Sequence, residues 1–293
     1  MISVLIYTRN EERDLPGCLA SVAWSDDIHV LDSFSTDRTV EIARAAGVAV
    51  TLPRAAAQEG GAVFGGDEAA RKNWALANLP FRNAWVLHLD ADERVTPELR
   101  DALLAAVKNP GPNVAFRVQR RDFFLGTWLR HVQTSPYYLR LFRPEKMHYE
   151  RLVNPVSIPD GPAGEVTGYL DHFPFSKGIA HWVERHNAYS TLEARQILEN
   201  RAAHKPFSLR LAFTAGGFNE RRFHQKELFY RLPARPLVKF LLLYVLRRGF
   251  LDGRAGFTYA MLQSFYEYLI VLKTRELTSL ARRAISAQTP IAK

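Results

Sequence analysis

In VLHLDADERV (Val86–Val95) an apolar run leads into three acids within four residues. The run is typical of a buried strand, and Asp90, Asp92 and Glu93 follow at the point where that strand ends. Carboxylates held this close repel one another, so the cluster is costly unless a cation relieves it. The stretch therefore predicts either a bound metal ion or a charge pair with Arg94.

On both sides of this stretch, short apolar runs alternate with segments of helical periodicity. The predicted strands of the first 110 residues are Ser3–Thr8, Ile28–Leu31, Val48–Leu52 and Ala84–Leu89. Such alternation is typical of a parallel sheet covered by helices on both faces, so the sequence predicts an α/β fold. Ligands bind these sheets at the carboxyl ends of the strands. We therefore expect Thr8, Asp32 and the acidic cluster to converge on one edge.

Three segments interrupt or change this pattern. The Gly- and Ala-rich stretch from Arg54 to Gly66 predicts a mobile loop or one that closes over a ligand. The alternating runs Val114–Val118, Tyr138–Phe142 and Leu152–Ile158 predict antiparallel strands that extend the sheet. Helical periodicity returns at Gly178 and continues through long apolar stripes.

Composition bounds the class of protein. The chain has 293 residues, of which 47% are hydrophobic and 24% charged, as in an ordinary folded protein. Its one cysteine, Cys18, excludes an internal disulfide and fits a reducing compartment. The N-terminus MISVLIYTRNEER is interpreted as a strand rather than a signal peptide. No apolar run reaches the length of about 18 residues that suggests a membrane-spanning helix.

The net charge of +9 is unevenly distributed. From Arg201 onward there are 17 Lys and Arg against 5 Asp and Glu, whereas the first 200 residues hold 22 against 25. A basic C-terminal third favours an anionic partner, either a membrane or nucleic acid. The alternative is a solvated basic face without a partner.

Four stretches resemble, in the same order, the motifs of the inverting family 2 glycosyltransferases with a GT-A fold. They are SVLIYTRNEE (Ser3–Glu12), VLDSFSTDRT (Val30–Thr39), ARKNWAL (Ala70–Leu76) and HLDADERVTPEL (His88–Leu99). The likeness is strongest to bacterial members that build lipopolysaccharide core or other surface polysaccharides. Two later stretches, LRLFRPEKMHYE (Leu139–Glu150) and LRRGFLDGRAG (Leu246–Gly256), also resemble that branch.

The resemblance implies a Rossmann-like mixed sheet flanked by helices, followed by a C-terminal helical extension. We expect residues 1–112 to form the nucleotide-sugar-binding half of the GT-A domain and residues 113–200 its acceptor-side half. Residues 201–293 are expected to form a basic amphipathic helical extension. The apolar stripe Phe257–Leu272 and its basic flanks suit an anionic membrane surface, or else a helix pair packed on the catalytic domain.

The resemblance also implies roles for residues at the strand ends. A sugar nucleotide carries a diphosphate leaving group, which Mg²⁺ or Mn²⁺ would neutralise as a Lewis acid. Asp92 is the implied direct metal ligand, and His172 is implied as a further ligand. Asp90 would contact the metal through a water molecule, or would contact the ribose instead. The implied nucleotide-binding residues are Thr8, Asn10, Glu11, Asp32, Arg71, Lys72 and Asp90.

Several of these assignments have a structural alternative. Asp32 would accept a hydrogen bond from the base, or else begin the following helix. Glu11 would line the nucleoside pocket or be an exposed acid in the first helical turn. Glu93 would support the metal ligands or pair with Arg94. His172 would bind metal or be an ordinary buried histidine.

Two positions depart from the family pattern. Phe34, in Ser33-Phe34-Ser35, stands where the family has glycine, and it would stack on a base or alter nucleotide choice. Related enzymes have a His-Glu pair near Val153-Asn154, and Asn154 cannot accept the proton of an acceptor hydroxyl. Glu150 and Asp171 are the remaining candidates for the general base.

Together these inferences predict a metal-dependent inverting glycosyltransferase. It would move a sugar from a nucleoside diphosphate to a lipid-linked saccharide or lipopolysaccharide-core acceptor, and UDP is the favoured nucleotide. It would act in the cytoplasm, peripherally on the inner face of a bacterial inner membrane. One alternative is a sugar-phosphate nucleotidyltransferase, but such enzymes carry a Gly-rich phosphate loop that the stretch RNEERDLPG of this chain does not match. The other alternative is a non-catalytic basic module that binds membrane or nucleic acid. No nucleic-acid motif is recognised, so no nucleic-acid partner is expected.

Overall fold

The computed structural model forms two compact units, of which unit 1 comprises Met1–Trp128 and Thr134–Ser176, and unit 2 comprises Leu129–Gln133 and Lys177–Lys293. The residues that the structure describes are 1–53, 67–150, 155–203, 207–214, 216 and 218–288. The predicted loop from Arg54 to Gly66 and the Val153-Asn154 position lie outside the described residues.

Unit 1 is built around a mixed β-sheet. Its strands are β1 (Ser3–Thr8), β2 (Ile28–Asp32), β3 (Ala49–Thr51), β4 (Val86–Asp90), β5 (Glu93–Val95), β6 (Ala115–Phe124), β7 (Thr127–Trp128), β8 (Tyr137–Phe142), β9 (Met147–Glu150), β10 (Val156–Pro159) and β11 (Ala163–His172). The main sheet has the order β3-β2-β1-β4-β8-β6-β11-β5, with β7 paired to β6. β9 and β10 form a separate antiparallel pair.

The first half of the sheet is parallel and the second half is mixed. β3, β2, β1 and β4 run in one direction, whereas β8 is antiparallel to both β4 and β6. In this register Thr8 lies beside Asp32, and Tyr7 lies beside Asp90. The carboxyl ends of the parallel strands therefore meet at one edge, as predicted.

Helices cover both faces of the sheet. They are α1 (Leu15–Ser21), α2 (Thr39–Ala45), α3 (Glu68–Asn78) and α4 (Pro97–Lys108). Thr96 Oγ1 accepts the N–H of Leu99 at 3.2 Å, and the Asp67 side chain accepts the N–H of Ala70 at 2.9 Å. These side chains satisfy N–H groups that a helix leaves unpaired at its beginning, and they fix where α3 and α4 begin.

The alternation of side chains along β1 divides the core into two layers. Val4 and Ile6 pack in a buried cluster with Leu15 and Leu99, whereas Leu5 and Tyr7 belong to a second buried cluster. Successive strand residues point to opposite faces, so a strand that is apolar throughout must be covered on both sides. The predicted α/β fold class is confirmed.

Unit 2 is helical in the residues that the structure describes. Its segments are α5 (Gly178–Ala202), α6 (Leu211–Thr214), α7 (Phe218–Arg231), α8 (Arg235–Leu241), a π-helical segment (Leu242–Leu246), a 3₁₀ turn (Gly249–Asp252) and α9 (Gly253–Gln288). α5 and α8 both pack on α9. No helix within the described ranges is long and apolar enough to cross a membrane. The helical extension is confirmed, while the predicted boundaries at residues 112 and 200 stay predictions.

Candidate active site

The ends of β1 and β2 are joined by the side chain of Asp32. Its Oδ2 accepts the hydroxyl of Thr8 at 2.7 Å, and its Oδ1 accepts the N–H of Ser35 at 2.8 Å. Asp32 has no exposed surface. A hydrogen bond from a nucleotide base would require this turn to open, so the geometry favours the role of Asp32 in ordering the turn before α2. Base recognition by Asp32 stays a prediction.

Two loop residues at this edge have left-handed backbone angles. Asn10 has a φ of 56° and Phe34 a φ of 59°. Asn10 Oδ1 accepts the N–H of Thr36 at 2.8 Å, and the Asn10 N–H donates to Ser35 Oγ at 2.8 Å. These bonds connect the two loops and hold Phe34 in a conformation that phenylalanine rarely adopts. The Phe34 side chain is left half-exposed, and its stacking on a base stays a prediction.

Glu11 lies at the beginning of α1. Its N–H donates to Thr39 Oγ1 at 2.7 Å, and its carbonyl oxygen accepts the N–H of Leu15 at 2.9 Å. The backbone of Glu11 therefore connects the beginnings of α1 and α2. Its predicted contact with the nucleoside stays a prediction.

The acidic cluster after β4 is neutralised by Arg140 of β8. Arg140 Nη2 lies 2.8 Å from Asp90 Oδ2 and 2.5 Å from Glu93 Oε1. Arg94 turns the other way and donates to the backbone carbonyl of Asp14 at 2.7 Å. The alternative in which Glu93 pairs with Arg94 is therefore wrong. The reason is that β8 lies directly beside β4 in the sheet, which places a distant arginine closer to the cluster than the adjacent one.

Arg140 also controls the charge of the cluster. Burial by itself would raise the pKa of Asp90, but Arg140, His88 and Lys72 outweigh burial and hold it well below its ordinary value. Glu93 is completely buried, and this burial raises its pKa against the opposing effect of Arg140. Burial, Lys72 and Arg140 lower the pKa of His88 to about 3, so this histidine is neutral.

Asp92 faces His172, which the sequence places 80 residues away. His172 Nε2 lies 3.3 Å from Asp92 Oδ2, and His172 Nδ1 lies 2.5 Å from Asp122 Oδ1. Asp122 is buried and also lies 3.1 Å from Arg120 Nε. Burial lowers the pKa of His172, but its hydrogen bonds with Asp122 and Asp92 outweigh burial and raise it to about 9.

This arrangement fits a divalent cation with two protein ligands once His172 has released one proton, because a metal-binding histidine must be neutral. Metal-binding histidines commonly have one ring nitrogen held by a carboxylate while the other contacts the ion. Asp122 holds one nitrogen of His172, and the other nitrogen faces Asp92. Within the described ranges, no three His, Cys, Asp or Glu side chains are grouped to hold an ion. Mg²⁺ needs only one or two protein ligands when water and phosphate oxygens complete its shell, so the two residues suffice.

α3 places two cations beside the ends of β1 and β4. Lys72 Nζ lies 5.4 Å from the ring centroid of Tyr7 and 5.1 Å from that of Tyr149. The Arg71 guanidinium lies 5.3 Å from the Tyr7 centroid and donates to Ser33 Oγ. Burial lowers the pKa of Lys72, and the charge of Asp90 opposes this effect. Aromatic rings therefore hold these cations in place without neutralising them, as an anionic ligand requires.

The two candidate bases have different surroundings. Asp171 makes a two-point ion pair with Arg121, in which Nη2 lies 3.1 Å from Oδ2. It also neighbours His172 on β11 and so points to the opposite face of the sheet. Glu150 ends β9 and is exposed, with His148 Nε2 at 3.4 Å. The structure thus brings His172, but not Asp171, to the acidic cluster.

Sequence reasoning missed three residues of this site. Arg140 and Tyr149 lie within the quoted stretch LRLFRPEKMHYE, whose likeness to the family was the available signal. Asp122 lies in the basic run RVQRRDFF and has no local signal. It is identified only by its contact with His172.

The fold and the site together define a glycosyltransferase with a GT-A fold. Residues 3–166 match the family model described as glycosyl transferase family 2. The chain therefore belongs to glycosyl transferase family 2, which confirms the resemblance seen in the motifs.

Full-length relatives support this assignment. The lipopolysaccharide core biosynthesis glycosyltransferase LpsC of Rhizobium meliloti is 27% identical over 287 residues, covering 96% of this chain and 94% of the relative. An uncharacterized glycosyltransferase of Rickettsia typhi is 24% identical over 303 residues, covering 99% and 92%. Among solved structures, residues 1–349 of S. aureus TarS are 17% identical, with a TM-score of 0.40 over 91% of this chain and 90% of that one.

Proposed function

We propose that this enzyme transfers a sugar, with inversion, from a nucleoside diphosphate to a lipid-linked saccharide or lipopolysaccharide-core acceptor. UDP is the favoured nucleotide of the donor. The observation that carries the proposal is Asp92 facing a histidine whose other nitrogen is held by the buried Asp122. Lys72 adds positive charge near Asp90, and Arg71 adds a second cation over the ring of Tyr7, which lies beside Asp90 in the sheet. The name of LpsC, a relative along nearly the whole chain, supports the acceptor class.

Asp92 and His172 would hold Mg²⁺ or Mn²⁺, and Asp122 would keep the His172 ring in the required orientation. When bound, the ion would neutralise charge on the departing diphosphate. Lys72 and Arg71 would bind phosphate oxygens. Asp90 is half-exposed, so the carboxylate that pairs with Arg140 can also accept a ribose hydroxyl or a metal-bound water.

Inversion by direct displacement needs a base on the acceptor side that takes the hydroxyl proton as the new bond forms. We assign this role to Glu150 rather than Asp171. Glu150 is exposed, and His148 Nε2 lies 3.4 Å from its Oε1. Proton uptake by Asp171 would break its two-point pair with Arg121, which makes it a poor acceptor.

The proposal places the reaction on the cytoplasmic side of a bacterial inner membrane, with the enzyme attached peripherally. Its support is the free, buried Cys18, the basic C-terminal third and the lipid-linked nature of the proposed acceptor. No nucleic-acid partner is included. The family to which the chain belongs disfavours the nucleotidyltransferase and non-catalytic alternatives.

The test compares Asp92→Asn with Asp160→Asn, which changes an exposed aspartate paired with Lys146. Ligand that binds only the folded state raises apparent stability, so UDP-sugars with Mn²⁺ should raise the Tm of the wild type. Asp92→Asn should lose the Mn²⁺-dependent part of that rise and lower transfer by about a hundred-fold or more. Asp160→Asn should match the wild type. Full metal-dependent activity of Asp92→Asn would contradict the proposal.

A further inference from the structure

The stretch LRRGFLDGRAG (Leu246–Gly256), to which the proposed reaction assigns no role, forms the tip of a helical hairpin in unit 2. We call residues 245–254 the hairpin tip. A Cβ on Gly256 would lie 2.0 Å from the carbonyl oxygen of Gly249, and a Cβ on Gly249 would lie 2.6 Å from that of Leu243. Neither glycine can be replaced without moving backbone, so the chain folds closely on itself around Gly249. The motif thus builds a tight tip.

Hydrogen bonds of the buried Asp252 and contacts between aromatic rings hold the hairpin tip in place. Asp252 Oδ2 accepts the N–H groups of His131 at 2.9 Å and of Val132 at 2.8 Å. Asp252 Oδ1 lies 2.7 Å from His131 Nδ1. The ring of Tyr244 lies 6.2 Å from that of Phe250 and 5.5 Å from that of Phe257. These contacts order the backbone of the tip and so determine which of its side chains face outward.

The fixed surface is unusually apolar. Leu246 is 75% exposed, Leu251 56% and Val245 54%. An apolar stripe continues from the tip along one face of α9, because its members recur every three or four residues. The members of the stripe are Phe257, Met261, Phe265, Tyr268 and Leu272, all exposed.

The charge around this surface has one sign. Arg247, Arg248 and Arg254 of the hairpin tip are exposed. Between Leu232 and Arg275 the acids are Asp252 and Glu267, and both are buried. The exposed surface over these residues therefore combines large aliphatic side chains with positive charge alone.

We propose that the hairpin tip docks this enzyme on an anionic bilayer, with Leu246, Phe250 and Leu251 entering the interface and the three arginines contacting lipid phosphates. This combination of apolar side chains and flanking arginines suits a charged lipid interface. Nucleic acid offers no partner for the aliphatic side chains, and a second copy would repel the arginines of the first. The inference rests on the proposed function, because the proposed lipid-linked acceptor would lie in the same membrane.

The test measures sedimentation of the full chain with vesicles of phosphatidylglycerol and phosphatidylcholine, and with phosphatidylcholine alone. The wild type should bind the anionic vesicles and release at high salt. Leu246→Glu/Leu251→Glu should lower the partition coefficient by at least about ten-fold, because two apolar side chains no longer enter the interface. Arg247→Gln/Arg254→Gln should lower it by about five-fold per charge removed.

The matched control is Leu192→Glu/Leu209→Glu, which adds the same charge at two leucines of unit 2, both 55% exposed. It should bind vesicles as the wild type does. The proposal is overturned if the tip variant binds normally, if the control loses as much, or if the tip variant instead dissolves a dimer of the wild type. The tip variant should still bind UDP-sugar with Mn²⁺. If the wild type binds vesicles but no sugar nucleotide, the proposed function fails while this inference stands.

Discussion

Replacing Arg140 by methionine should strongly destabilise unit 1. Arg140 is buried, and its Nη2 lies 2.8 Å from Asp90 and 2.5 Å from the completely buried Glu93. Asp90 can be solvated when the arginine is removed, but Glu93 cannot, and its next cation is Arg120 at 4.0 Å. Removing one partner of a buried pair costs about 3–5 kcal/mol, so we expect a loss of this size in the free energy of unfolding.

The measurement is urea denaturation at neutral pH, followed by tryptophan fluorescence. Glu93→Gln/Arg140→Met should recover most of the loss, because replacing both members of a buried pair is often close to neutral. The control Arg38→Met removes the exposed pair with Glu41 and should change stability by less than about 1 kcal/mol. The reasoning is refuted if Arg140→Met alone costs less than about 1 kcal/mol, or if the double variant is as unstable as the two single losses added together.

Lys72→Met should weaken UDP binding by about ten- to a hundred-fold, because a charge-assisted hydrogen bond to phosphate is lost. Uridine, which has no phosphate, should bind as it does to the wild type. Calorimetry that finds the binding of both ligands equally weakened would contradict the phosphate role. Asp27 accepts hydrogen bonds from Ser3 at 2.5 Å and from the Arg82 N–H at 2.8 Å. Burial would raise the pKa of Asp27, but Ser3, Arg82 and His29 outweigh it and lower the pKa. The folded state therefore binds the Asp27 proton less readily than the unfolded state, in which the pKa of an aspartate is about 3.9. The stabilisation by ionised Asp27 is complete above that value and disappears as the pH falls through the lower folded-state pKa. Asp27→Asn should therefore be less stable than the wild type at neutral pH, with a difference that shrinks on acidification; urea midpoints showing a constant difference would contradict this.

The strands and helices that lead to the site could be predicted from local pattern. Ser3–Thr8 is predicted with its observed bounds, and α3 and α4 begin directly after the capping side chains of Asp67 and Thr96. These segments are apolar on the buried faces and carry capping residues at their ends, so local chemistry fixes them. The convergence of Thr8, Asp32 and Asp90 followed from the parallel order of the strands alone.

The counter-ion of the acidic cluster could not be predicted in this way. Arg94 adjoins the cluster in sequence, yet Arg140, 47 residues from Glu93, neutralises it. Likewise, Asp122 and His172 are separated by 50 residues and meet because β6 and β11 pair in register. Strand order and register are set by the packing of the whole sheet, which no single segment contains.

Local pattern in the chain is enough to show that three acids follow a buried strand, that a basic helical region follows the sheet, and that family motifs occur in order. The cation that each acid meets, and the close backbone contacts of the glycines in LRRGFLDGRAG, are seen in the packed structure alone. This division arises because apolar periodicity and capping act between near neighbours along the chain. Ion pairs and close backbone contacts instead depend on distances that are set when separate elements pack together.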